Sequence, residues 1–107
     1  MSLDVYLVEV LPTQVYEANI THNLNKMADA AGIYMHLWRP GEIGVTHAAQ
    51  LIAPLEAAIA TMKAEPDRFK VFNASNGWGL YENFVPWIER YLEACKEHPN
   101  AKIEVSR

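Results

Sequence analysis

The chain has 107 residues, half of them apolar and 21% charged, which sizes it for one domain with its own core. Its formal charge of −4, with nine basic residues scattered along it, excludes a nucleic-acid polymer as the expected partner, because phosphate-driven binding needs clustered Lys and Arg. The single Cys95 allows no internal disulfide and fits a reducing compartment. No apolar run reaches the ~18 residues of a membrane helix. Met1-Ser2-Leu3-Asp4 also lacks the basic and apolar regions of a signal peptide. A soluble, cytoplasmic protein with no membrane partner is expected.

Val5 to Leu11 is rich in β-branched and apolar residues and is closed by Pro12, which reads as a strand. Residues 13 to 20, with Val15, Tyr16 and Ile20, suit a second short strand. Thr21 is a good N-cap, and after it Leu24, Met27, Ala28 and Ala31 mark one helix face. Gly32 stands where a left-handed C-terminal residue is expected. Ile33 to Trp38 is apolar and aromatic, and Arg39-Pro40-Gly41 ends it.

Thr46 reads as the cap of a second helix built on Leu51, Ile52, Leu55, Ala58, Ile59 and Met62. Pro54 interrupts that pattern, so a kink or a restart is expected there, and Glu65-Pro66-Asp67 marks the end. The third helix has the cleanest pattern. Tyr81, Phe84, Val85, Ile88, Leu92 and Cys95 form its apolar stripe, while Glu82, Glu89, Arg90, Glu93, Lys96 and Glu97 fill the opposite arc. With Asn83 as cap, Pro86 falls in the first turn, where proline costs little. His98-Pro99-Asn100 breaks the chain, and Lys102 to Ser106 alternates like a last strand.

The resulting class is α+β, a single domain over residues 1–107. The terminal strands form a small antiparallel sheet packed against about three helices. Two strands alone are marginal in water, so the helices must cover one face. A sheet edge is left over, which is one route to a homodimer.

Two groups of residues suggest a site. At the start of the first helix, Thr21, His22, Asn23 and Lys26 offer donors beside free backbone amides, a setting that suits phosphate or carboxylate. The plainer reading is an ordinary cap facing water. The second group is Trp38 with Arg39, and Asn76 with Trp78 and Tyr81, in two turn-rich segments. Indole and phenol faces stack on a planar ligand, and Arg and Asn read its polar edge. Against this, Trp is well buried on average, so either indole also reads as a core anchor. In Asn76-Gly77-Trp78-Gly79 the glycines allow positive φ or close approach, so Trp78 either plugs the core or walls a site.

His22, His36, His47 and His98 form no i, i+4 pair, and one cysteine gives no Cys-x-x-Cys, so no metal is expected. His22 is the best acid–base candidate because it lies among polar residues. Cys95 falls on the apolar stripe and reads as buried and inert. No Gly-x-Ser-x-Gly elbow, Walker loop or dinucleotide glycine motif is present, and no cofactor is implied.

Ile20 to Ala28, Ala31-Gly32-Ile33-Tyr34, Leu37-Trp38-Arg39-Pro40, Asn76-Gly77-Trp78-Gly79 with Tyr81, Tyr91 to Cys95 and Val105-Ser106-Arg107 together resemble an uncharacterised family of small phage and bacterial proteins. The resemblance implies no activity or ligand. It implies an accessory role, acting on host defence or regulation.

The function expected is a non-enzymatic binding protein that takes a small anionic or nucleotide-like ligand on these polar and aromatic residues. This requires both groups to converge, in one chain or across a dimer. One alternative is a regulatory module that inhibits a host protein through exposed aromatic anchors. Another is a small hydrolase with His22 as general base and Thr21 or a bound water as nucleophile.

Overall fold

Leu3, Val5 and Leu7 alternate with Ser2, Asp4 and Tyr6, and this period of two places one set on each face of a strand. In the computed structural model, which describes residues 2–9 and 14–107, the first set is fully buried in β1 (Ser2–Val8). The strand therefore starts earlier than Val5 and ends at Val8; Val10, Leu11 and Pro12 lie outside the described residues. β2 (Gln14–Thr21) and β3 (Lys102–Ser106) flank β1, both antiparallel, in the order β2-β1-β3.

The terminal strands pair as their patterns suggest, with Val5 opposite Val105 and Leu7 opposite Ile103. Residues 14–21 go further than a short extension and form a full outer strand, so the sheet has three strands and β1 is central. Leu3 faces Ile20 and Val5 faces Ala18, which continues the apolar row across the sheet.

The helix expected after Thr21 is divided. Thr21 does cap, its Oγ1 accepting the Asn23 amide at 3.2 Å, but it starts a 3-10 turn over His22–Leu24. α1 (Asn25–Ala30) follows, and Gly32 closes it at φ +79°. The aromatic segment then forms a single short helix, α2 (Tyr34–Trp38), and a 3-10 turn over Pro40–Ile43.

Thr46 is not the cap of α3 (Ala49–Ala64). Residues 46–49 run instead beside the end of the chain. The Thr46 carbonyl accepts from Ile103 N at 2.9 Å, and the Ala48 and Ala49 amides donate to Ala101 and Pro99 carbonyls, each at 2.9 Å. Gln50 Oε1 reaches back to the Thr46 and His47 amides at 2.8 and 3.0 Å. α3 runs unbroken through Pro54, whose missing donor leaves the exposed Gln50 carbonyl to water. Glu65-Pro66 ends it, and Pro66 opens α4 (Pro66–Lys70), which buries Phe69.

α5 (Tyr81–Glu97) buries the expected stripe from Phe84 to Cys95, while Tyr81 at its start is half-buried. Its cap comes from far upstream, because Asn73 Oδ1 accepts the Tyr81 amide at 2.8 Å. Asn83 is therefore the third helical residue, and Pro86 lies inside the helix instead of in its first turn. The Glu82 carbonyl that Pro86 leaves unpaired belongs to an exposed residue.

α5 lies against the sheet, with Tyr91 stacked on Tyr16 of β2 at 5.8 Å between ring centroids. α3 lies beside α5, tied by the Tyr81 hydroxyl donating to the Met62 carbonyl at 2.8 Å. The ion pairs Lys63–Glu89 and Lys96–Glu56 also span α3 and α5, but they are solvated and add little. Trp87 Nε1–H donates to the Asn19 carbonyl at 3.0 Å, so the indole occupies part of the outer edge of β2. Among the described residues no helix is long and apolar enough to cross a membrane.

Candidate functional site

The Asn73–Leu80 loop is held by its own turn residues. The Ala74 amide donates to the Gly79 carbonyl at 3.0 Å, and the Gly77 amide to the Ala74 carbonyl at 3.1 Å. Asn76 Oδ1 accepts the Trp78 amide at 2.9 Å, an Asx turn. Gly79 has φ +126°, and a Cβ there would come within 3.0 Å of Asn23 Cβ and 3.3 Å of its carbonyl carbon. Glycine here lets the loop seat closely on the Asn23 turn, where a side chain would be crowded and its backbone strained. Seated there, Trp78 stands out of the surface, 70% exposed.

Below Trp78 lies a cleft of about 670 Å³ between the end of β2, the turn after it, the loop and α5. Thr21 and Asn23 line one side, and Asn83, Trp87 and Arg90 line the other. Several of its polar groups are already engaged. Thr21 Oγ1 holds the Asn23 amide, Trp87 holds the Asn19 carbonyl, and the Asn19 amide donates to Ser2 Oγ and Asp4 Oδ1 at 2.8 and 2.6 Å.

The side chains of Asn23, Asn83 and Arg90 are different. They make no hydrogen bond or ion pair among the described residues, although all three line the cleft. A ligand can engage them without breaking an internal bond. Arg90 supplies the positive charge. Its field also works against the burial that raises the Tyr16 phenol.

A second, smaller cleft of about 350 Å³ lies on the other side of the turn and is lined by His22, Tyr34, Trp38, Arg39 and Arg107. Trp38 is 2% exposed and stacks on Tyr34 at 5.4 Å, so it is a core anchor that shows only an edge. Arg39 pairs with Glu42 at 2.9 Å and donates to the Tyr34 hydroxyl at 3.4 Å; these contacts, Glu42 first, raise its pKa further. His22 meets Trp38 edge-on at 6.2 Å, and its Nε2 is buried with no partner among the described residues.

The two expected groups thus converge in part. Thr21, Asn23 and Trp78 share the larger cleft, while His22, Trp38 and Arg39 share the smaller. The 3-10 turn causes the split, because consecutive residues on a tight turn project in different directions. Lys26 lies apart, in a shallow hollow with Asp29 and Tyr34. Asn76 and Tyr81 line neither cleft: one forms the Asx turn, and the other ties α5 to α3. With only six residues, α1 has little macrodipole to offer an anion.

Sequence reasoning placed Arg90 on a solvated arc and Asn83 at a cap, and so missed both. Asn83, Trp87 and Arg90 stand at i, i+4 and i+7 on one helix face. That amide, indole and guanidinium stripe was the available signal.

Chemistry elsewhere is limited. No side chain among the described residues hydrogen-bonds the His22 ring, so nothing orients it as a base. Burial pushes the Cys95 thiol up to about 12, which keeps it protonated at neutral pH. Among the described residues, no three His, Cys, Asp or Glu side chains gather as metal ligands. Compared with known proteins, the chain matches no family model, no curated protein and no solved structure.

Proposed function

We propose that this chain is a non-enzymatic binding protein whose larger cleft takes a small planar ligand bearing an anionic group. The observation that carries this reading is an exposed indole above two amides and a guanidinium that have no partner among the described residues. Leaving a large aromatic face in water forfeits its burial, roughly 2 kcal/mol or more for a side chain of this size. A ligand stacked on Trp78 recovers that term, and Arg90 answers the ligand's charge. The resemblance to small phage and bacterial proteins fits an accessory protein of this kind, working in the host cytoplasm.

Native mass spectrometry after incubation with a host nucleotide extract tests the proposal. A discrete added mass is expected, lost on denaturation and absent from Trp78→Ala and Arg90→Ala. A clean apo mass in every sample would overturn it. Trp78 would then read as the anchor of a protein-interaction face.

A further inference from the structure

Five asparagines stand in or beside the larger cleft, and their hydrogen bonds divide them. Asn73 and Asn76 cap backbone amides, and Asn19 is tied to Ser2 and Asp4. Asn23 and Asn83 alone among these five bond nothing within the described residues, and both line the cleft. A primary amide offers a donor and an acceptor side by side. A carboxylate ligand has no use for the acceptor, and a bare hydrocarbon ring has no use for either. An edge with adjacent donor and acceptor atoms uses both, and that is the pattern on a nucleobase.

Spacing along α5 adds a second constraint. Asn83 and Arg90 are seven residues apart, about 10 Å along the helix axis, with Trp87 between them on the same face. The amide and the guanidinium are thus separated as a base and its phosphate are separated by a sugar.

We infer that the ligand is a nucleotide: its base stacks on Trp78 and is read at its edge by Asn83 and Asn23, and its phosphate lies on Arg90. This rests on the cleft being the binding site, as proposed above. A free nucleotide and the phosphorylated end of a single strand share this chemistry.

Calorimetric titration compares the four common nucleoside monophosphates with 1-naphthyl phosphate, a planar aromatic phosphate with no base edge. At least one nucleotide should bind about tenfold tighter than the naphthyl ester, the discrimination one bidentate amide contact supplies. Asn83→Ala should erase that advantage and leave naphthyl phosphate unchanged. Asn23→Ala should act the same way, and it keeps the Cβ on which Gly79 rests. Equal binding of naphthyl phosphate and every nucleotide would overturn the base reading while the cleft stands. Absence of binding by all five would overturn both. A 5′-phosphorylated single-stranded oligonucleotide binding tighter than the mononucleotide keeps the inference and assigns the ligand to a strand end.

Discussion

Leu37-Trp38-Arg39-Pro40 and Asn76-Gly77-Trp78-Gly79 look alike as text, each an indole beside turn-forming residues. In the fold they are opposites. Trp38 ends a helix, stacks on Tyr34 and is 2% exposed, whereas Trp78 tops a loop and is 70% exposed. What separates them is the backbone under each ring. α2 turns its indole toward the core, while Gly79 seats the other loop on Asn23 and leaves Trp78 over an open cleft. Local composition says that an indole matters, and tertiary contact decides whether it matters for stability or for binding.

The two indoles give the largest expected contrast. Trp38→Ala should cost about 3–5 kcal/mol of unfolding free energy in urea, the usual range for emptying a buried aromatic site. Trp78→Ala should stay within about 0.5 kcal/mol of the parent. Equal losses would mean that Trp78 packs on something and is no free wall.

The support beneath Trp78 comes next. Gly79→Ala forces a Cβ against Asn23 at φ +126° and should destabilise by about 3 kcal/mol. Gly77→Ala has open space and only the left-handed φ of +79°, so about 1 kcal/mol is expected from the same denaturation measurement. If the two substitutions cost the same, the loop is not seated on Asn23.

A smaller effect sharpens the contrast between buried and exposed aromatic groups. The Tyr91 hydroxyl is buried with no partner among the described residues, so Tyr91→Phe should stabilise by about 1 kcal/mol. Burial raises the pKa of both Tyr91 and Cys95, the thiol to about 12 from an ordinary 9.0. Both groups stay protonated when folded and ionise first in the unfolded chain. Stability is therefore unaffected by them below about pH 9 and falls as pH rises above it. Tyr91→Phe and Cys95→Ala should each flatten that alkaline decline, as read from melting temperatures across pH 8 to 10.5.

Much of the architecture was legible in the sequence because it rests on local periodicity. The alternation in β1 and β3 and the apolar stripe of α5 each satisfy one face at a time. Caps were legible only where the partner is near. Thr21 bonds the amide two residues on, as expected. Thr46 and Asn83 were misread because the real partners are Ala101, Pro99 and Asn73, brought in by the tertiary fold. The candidate site suffered in the same way. Thr21, Asn23 and Trp78 were recognised as chemistry, but Arg90 was read as one more solvated charge on α5. Only the approach of the loop to the turn turns that charge toward a cleft.

The central position of β1 also sets a timetable for folding. Its partner β2 follows within a few residues, so a hairpin and α1 can form early. The other side of β1 waits for residues 102–106, and α3 cannot be fastened at its start until Pro99 and Ala101 arrive. Closing that long loop is entropically slow, and a growing chain must shelter the row of Leu3, Val5 and Leu7 until then. Loss of β3 would therefore do more than fray one edge: it would leave a half-built core with a sticky flank, a natural target for chaperones and proteases.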